Sequence, residues 1–212
     1  MIERVRRQVA KARRIDRAIV ATDDERIVRA VQDHGGEAVL TGEHPNGTHR
    51  VAAVARVIRA RYVVNVQGDM PLLDPKHVDD LVGLLEGGAP IATLAVPFAL
   101  DPASPHVVKV VRNRAGDAMY FSRAAIPSQG PWLRHLGLYG FGEGTLDALM
   151  ALPEGILDRA EDLEQLRWLE AGFRIVVGVV ESAEPGVDTP DQLEAARQRF
   201  HELFPSCPPN SP

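Results

Sequence analysis

Arg61-Tyr62-Val63-Val64-Asn65-Val66-Gln67-Gly68-Asp69-Met70-Pro71 sets a run of mostly β-branched residues against a polar, turn-forming end. The run reads as a buried strand, Tyr62 to Val66, that delivers Gln67-Gly68-Asp69 to the edge of a sheet. In an open parallel sheet, ligands bind beyond the carboxyl ends of the strands. An acid one glycine past such an end is placed to hold a cation beside a phosphate. A plain turn at Gly68-Asp69 accounts for the same residues equally well.

Working outward, strands and helices alternate. Ile2, Val5, Val9 and Ala12 recur at helical spacing among arginines, which predicts an amphipathic helix over 1–13. Ala18 to Ala21 reads as a short strand. Thr22-Asp23-Asp24-Glu25 supplies a capping box for a helix to about His34, and Gly35-Gly36 ends it. Glu37 to Leu40 is the next strand, and Thr48 is placed to cap a helix whose Val51, Val54, Ala55 and Ile58 form one stripe. After the opening strand, Pro75 starts a helix to about Leu85, and Ile91 to Val96 is a strand. This pace predicts βαβ units and an α/β fold: a mainly parallel, Rossmann-like sheet flanked by helices.

The pattern then changes. Val107 to Val111, Ala118 to Ser122 and Leu133 to Phe141 read as consecutive strands without helices, an antiparallel excursion and the expected dimerisation segment, about 107–141. Helices return over 143–152 and 161–171, a strand follows over 174–180, and Thr189-Pro190-Asp191-Gln192 is a second capping box opening the last helix. One domain over 1–204 is expected, with a disordered tail over 205–212.

Bulk composition excludes several classes. With a net charge of −5 and a pI near 5.8, the chain lacks the basic footprint that a nucleic-acid partner requires. No apolar run is long enough for membrane insertion, and Met1-Ile2-Glu3-Arg4 begins no signal-peptide core, so a cytoplasmic location is expected. Cys207 is the single cysteine, which leaves neither a disulfide framework nor a thiolate cluster. Among 24 basic residues only Lys11, Lys76 and Lys109 are lysines, few for a protein that handles phosphate tails.

Asp69 and Asp188 both follow predicted strands, so a parallel sheet could converge them on one crevice. Mg²⁺ takes only one or two carboxylates and keeps its remaining places for water and phosphate oxygens. Each acid also has a plainer role, Asp188 as a favourable charge ahead of a helix start. P-loop, dinucleotide-binding and zinc signatures are absent. Six of the seven histidines are scattered. His135 instead opens His135-Leu136-Gly137-Leu138-Tyr139, where period-2 spacing sets His135, Gly137 and Tyr139 on one face. Either a sugar pocket or a hydrogen-bonded core pair fits that pattern. Glu164 and Arg167, three apart on a helix, are expected to pair with each other.

Several motifs occur together in a fixed order. They are Ala21-Thr-Asp-Asp-Glu25, Asn46-Gly-Thr48-x-Arg50, Val66-Gln-Gly-Asp69-x-Pro71, Val107-Val-Lys-Val110, Tyr120-Phe-Ser-Arg123-x-x-Ile126-Pro127, His135-Leu-Gly-Leu-Tyr139, Glu161-x-Leu-Glu-Gln-Leu-Arg167 and Gly186-Val-Asp-Thr-Pro190. In order and spacing the chain resembles the 3-deoxy-manno-octulosonate cytidylyltransferases, up to about Arg197. Members of that family join CTP to the sugar acid Kdo, giving CMP-Kdo and pyrophosphate for lipopolysaccharide synthesis. The resemblance implies that Asp69 and Asp188 hold Mg²⁺ and are the catalytic acids, and that Gly47, Thr48, Arg50 and Gln67 surround the nucleotide. It further implies that Arg123, His135, Tyr139, Glu164 and Gln165 form the sugar-acid pocket, in a homodimer.

Met70 stands where the family usually has Glu, and His49 where it usually has an acid. The family's opening strand and its Arg/Ser/Gly/Lys loop for the triphosphate have no counterpart before Met1. Two readings follow: Met1 is internal to a longer reading frame of an active transferase, or the chain is a complete, non-catalytic nucleotide-sugar-binding relative. The intact sugar-side residues favour the first. A cytidylyltransferase for another sugar acid fits the same chemistry.

Overall fold

Only Val63, Val64 and Asn65 of the opening stretch form ladder pairs, with Phe141, Gly140 and Tyr139, so β3 (Val63–Asn65) is shorter than the run that predicts it. The computed structural model describes residues 1–98 and 103–203. They group into two units: residues 1–54, 66–79 and 184 onward, and residues 55–65 with 80–183. The expected disordered tail, with Cys207, lies outside the described residues.

The first unit carries α1 (Ile2–Val9), β1 (Ile19–Thr22), α2 (Glu25–Gln32), β2 (Glu37–Leu40), the opening turns of α3 (Gly47–Ile58) and α8 (Pro190–Leu203). β1 and β2 pair in parallel, Ile19 opposite Glu37 and Thr22 opposite Leu40. Val5 and Val31 are buried from the apolar faces of α1 and α2. Glu3 is buried as well, because Arg6 and Arg7 reach it at 2.7 Å each and satisfy its charge. The capping box expected at Thr22 does not form: Thr22 Oγ1 accepts from the Asp24 N–H at 3.1 Å, ahead of the helix. Asp24 caps α2 instead, accepting from the Arg26 N–H at 2.8 Å. Asn46 likewise takes the capping role expected of Thr48, its Oδ1 accepting from the His49 N–H at 3.0 Å. The box at α8 forms as read: Gln192 Oε1 accepts from the Thr189 N–H at 2.9 Å, and Thr189 Oγ1 accepts from the Gln192 N–H at 3.3 Å.

The second unit is built on one sheet of six strands. β4 (Ile91–Phe98), β5 (Lys109–Arg112), β6 (Ala118–Ser122), β7 (Trp132–Phe141) and β8 (Ile175–Val179) lie in the order β6-β5-β7-β4-β8, and β3 also pairs with β7. The helices are the end of α3, most of α4 (Pro75–Glu86), α5 (Thr145–Met150), α6 (Leu157–Glu161) and α7 (Gln165–Glu170). Leu81, Ile91, Leu94, Phe121, Leu138, Phe141, Leu166, Trp168 and Ile175 are all at most 1% exposed and form the core. Each contributes about 1.5–3 kcal/mol of burial.

The α/β class and helix-flanked sheet stand, but the mainly parallel pairing requires correction. β1–β2 and β4–β8 are parallel, whereas β7 runs antiparallel to β3, β4 and β5, and β5 antiparallel to β6. Strand–helix alternation gives no sign that the ten-residue β7, distant in sequence, pairs with both β3 and β4. The helix expected over 161–171 is two helices, because Asp162 adopts φ 54° between α6 and α7. That break moves Arg167 away from its expected partner: it pairs with Asp158 at 2.7 Å, not with Glu164.

Candidate functional site

The predicted residues divide cleanly. Gly47, Thr48, Arg50, Gln67, Asp69 and Asp188 belong to the first unit, and Arg123, His135, Tyr139, Glu164 and Gln165 to the second.

In the first unit the chain after β3 turns at Gly68, and Asp69 is locked by its main chain, whose carbonyl accepts from the Val187 N–H at 2.9 Å. This bond brings the Gly186-Val187-Asp188 segment against Asp69. A Cβ placed on Gly186 would stand 3.6 Å from Asp69 Oδ2. Burial, and then the negative charge of Asp188, raise the Asp69 carboxyl above its ordinary range, with a backbone hydrogen bond opposing them. Neither acid forms an ion pair among the described residues. Two neighbouring carboxylates, one half-buried and neither neutralised, fit a divalent cation. No group of three or more His, Cys, Asp or Glu is placed to hold a metal among the described residues.

Gly47 lies beside Gln67, where a Cβ would stand 3.8 Å from Gln67 Oε1. Both residues are exposed, and Thr48 is buried in the first turn of α3. Arg50 is held by Asp23 at 2.6 Å and by Thr41 Oγ1 at 3.1 Å. His49 Nδ1 lies 2.8 Å from Asn46 Oδ1, and Met70 is buried.

In the second unit β7 gathers aromatic rings on one face. Thr93 pairs with Tyr139 and Ala95 with His135, so three β7 residues, Leu136 to Leu138, face the single residue Leu94. Gly137, at φ 71°, permits this bulge. It corrects the simple period-2 reading: four residues along a regular strand span about 13 Å. Here the His135 and Tyr139 rings lie 5.2 Å apart, with Phe121 5.0 Å from His135 and Trp168 4.9 Å from Tyr139.

The hydrogen-bond directions fix the His135 tautomer. Thr93 Oγ1 donates its only proton to the Leu138 carbonyl at 2.6 Å, so at 2.8 Å from His135 Nε2 it must accept. The ring therefore carries its proton on Nε2 and keeps Nδ1 as an acceptor. Burial, then the charge of Arg134, lowers its pKa to about 3, and the ring is neutral at physiological pH. Tyr139 is pushed the other way, well above its ordinary value, by burial and then by Glu164, and stays protonated.

Arg123 follows β6 and is held at both ends. Its N–H donates to Glu161 Oε2 at 3.1 Å, and its guanidinium donates to the carbonyls of Pro105 at 3.1 Å and Asp162 at 3.4 Å. Its own carbonyl accepts from Lys109 Nζ. That fully buried lysine also donates to the carbonyls of Ser104 at 3.0 Å and Val107 at 2.7 Å. Glu164 stands at the N-cap of α7, and Gln165 is buried in its first turn. Sequence reading passed over Thr93, Lys109 and Glu161 as working residues. The available signal was a polar side chain inside an apolar strand, at Thr93 in Ile91 to Val96 and at Lys109 in Val107 to Val111.

Residues 1–175 match the family model described as Cytidylyltransferase. A 3-deoxy-manno-octulosonate cytidylyltransferase of Anaeromyxobacter sp. (strain K) is 47% identical over 206 residues, covering 93% of this chain and 85% of the relative. The chain belongs to the 3-deoxy-manno-octulosonate cytidylyltransferase family. The enzyme of that name from Chlorobaculum tepidum is 40% identical, covering 96% of this chain and 88% of the relative. Among solved structures, CMP:2-keto-3-deoxy-manno-octonic acid synthetase complexed with CTP superposes with a TM-score of 0.92 at 36% identity, over 95% of this chain and 88% of that one. A 4-diphosphocytidyl-2C-methyl-D-erythritol synthase from Anaerococcus prevotii shares the fold alone, at a TM-score of 0.66 and 13% identity over 94% of this chain and 88% of that one.

Proposed function

We infer that the chain transfers CMP from CTP to 3-deoxy-manno-octulosonate, releasing pyrophosphate. The likeness to a CTP-bound enzyme of that activity, at a TM-score of 0.92 and 36% identity, carries the reading. A sugar hydroxyl oxygen forms the new bond to the α-phosphorus. The bond to the bridging oxygen breaks, pyrophosphate leaves with the electron pair, and the hydroxyl proton passes to solvent.

Each unit's residues suit one part of this chemistry. Asp69 and Asp188 are the residues that would hold Mg²⁺, which supplies charge neutralisation at the phosphate oxygens. Gly47, Thr48, Arg50 and Gln67 form the nucleotide side. On the sugar side Arg123 offers a cation to the acid's carboxylate, His135 Nδ1 accepts from a hydroxyl, and the Tyr139 hydroxyl donates. Glu164 and Gln165, where α7 begins, complete that side. Because His135 is neutral at working pH, its role is orientation rather than general-acid catalysis.

A cytoplasmic location, where CTP is made, accompanies this reading; no described helix is long and apolar enough to cross a membrane. So does a homodimer through the strand-rich segment 107–141, in which the exposed Met119 lies on the outermost strand β6. A monomeric mass by light scattering at micromolar concentration would count against the dimer.

The deciding assay incubates the 212-residue chain with CTP, Mg²⁺ and Kdo and follows pyrophosphate. Release in equal amount to CMP-Kdo is expected, and the release should stop when EDTA is added. Saturable binding of CTP and Kdo without release would overturn the transferase reading in favour of a binding protein. Release with another sugar acid but not with Kdo would overturn the choice of acceptor.

A further inference from the structure

Three buried side-chain polar atoms lack a hydrogen-bond partner among the described residues: Asn65 Nδ2, the Tyr139 hydroxyl and Asp158 Oδ1. Asp158 uses its other oxygen on Arg167. The remaining two are register partners. Asn65 lies directly across the β3–β7 ladder from Tyr139, as Thr93 does across the β4–β7 ladder. Directly opposed residues of antiparallel strands send their side chains to the same face, so Asn65 shares the face of Tyr139 and His135. Asn65 is 4% exposed and Tyr139 7%.

A buried polar group without a partner is rare and carries its full desolvation cost. Two of them, on directly opposed residues of the face that carries predicted substrate residues, are hydrogen-bond donors open to acceptor oxygens. We propose that Asn65 is a further sugar-acid-binding residue, its side-chain amide and the Tyr139 hydroxyl donating together to oxygen atoms of the bound acid. The chemical match is directional. Tyr139 remains a phenol and donates, the amide Nδ2 only donates, and His135 Nδ1 only accepts. A ligand rich in carboxylate and hydroxyl oxygens satisfies all three, whereas an apolar ligand satisfies none. Asn65 also ends β3 one residue before the chain enters the first unit at Val66, so it is fixed by ladder bonds rather than carried on a loop.

This inference rests on the transferase reading, and the two can fail separately. The test replaces Asn65 with Leu, close in volume and unable to hydrogen-bond, and in parallel makes Tyr139→Phe. Each variant is measured for thermal midpoint without ligand, for KM with Kdo and with CTP, and for Kdo binding by calorimetry. For Asn65→Leu a midpoint equal to or above wild type is expected, because a desolvated orphan is removed. KM and Kd for Kdo should rise at least tenfold, with the KM for CTP unchanged within twofold. The double variant should cost less than the product of the single effects, because the two donors serve the same ligand atoms. A lowered midpoint with unchanged Kdo affinity would overturn the proposal and assign the amide to an internal water. Kdo binding that Asn65→Leu abolishes, in a wild type that releases no pyrophosphate, would sink the transferase reading and leave this one standing. Normal turnover with Kdo affinity untouched by Asn65→Leu would do the reverse.

Discussion

Asp69 and His135 are both displaced from their ordinary titration by burial, but the first unit and the second resolve the displacement differently. Around Asp69 the chain adds a second acid, Asp188, and no described cation pairs with either. Negative charge is kept and left open. Around His135 the chain supplies rings and a hydroxyl that accepts from Nε2, so charge is removed and only hydrogen-bond direction remains. A metal and a phosphate chain are recognised by charge, which survives partial exposure. A sugar is recognised by directional donors and acceptors, which need a dry, fixed setting. On the proposed reading, the two sets of residues answer these separate demands.

The sharpest way to break this comparison is Asp69→Asn. If open charge is the working property of the first unit, turnover should fall about 10³-fold, the scale on which charge-stabilising groups act in transfer reactions. Stability should not fall with it. The folded state raises the Asp69 pKa, so without metal its stabilising contribution is present below the unfolded pKa and is lost as pH rises through the folded one. At neutral pH a permanently neutral Asn therefore keeps or raises the thermal midpoint. Saturating Mg²⁺ should raise the wild-type midpoint and leave that of Asp69→Asn unmoved.

Lys109→Met tests the second unit from the opposite side. Its ammonium satisfies the carbonyls of Ser104, Val107 and Arg123, and leaving them buried without a donor should cost about 3 kcal/mol in chemical denaturation. CTP affinity, assigned to the first unit, should stay within twofold.

His135→Gln examines the removal of charge. Because the folded state holds the His135 pKa at about 3, the stability contributed by the neutral ring is present above the unfolded value near 6.5 and is lost as pH falls between the two. Circular dichroism against pH should show that wild type loses about 2 kcal/mol more than the variant by pH 5. Equal acid sensitivity would mean that the ring is not buried neutral.

The smallest expected effect belongs to Thr93→Val, which removes the acceptor that sets the His135 tautomer. The KM for the sugar acid should rise about tenfold, equal to about 1.4 kcal/mol and within the range for one lost buried hydrogen bond. The KM for CTP should not move. A parallel rise in both constants would erase the distinction between the two halves.

Much of the fold was legible locally. Glu37 to Leu40, Ala118 to Ser122 and the box at Thr189-Pro190-Asp191-Gln192 appear as the residues predict, because each depends on neighbours within a few positions. The caps at Thr22 and Thr48 were misread. Thr22 Oγ1 accepts from the Asp24 N–H ahead of the helix and Thr48 belongs to the helix itself, leaving Asp24 and Asn46 nearer the vacant N–H groups. The mainly parallel sheet failed at β7, which runs antiparallel to β3, β4 and β5, strands well separated from it in sequence.

By itself the sequence determined the α/β class and the family, because motif order survives without coordinates, and it singled out Asp69 and Asp188 as candidates. Only the tertiary structure decided which polar atoms are satisfied. It set Asn65 opposite Tyr139, folded out the bulge at Gly137, and fixed the proton of His135 through Thr93. Those relations join residues far apart in sequence through ladder register and hydrogen-bond direction, neither of which a linear pattern carries. The opening stretch shows both limits: Asp69 could be singled out from its neighbours alone, whereas Asn65, four residues earlier, acquired a role only once the strand across from it was known.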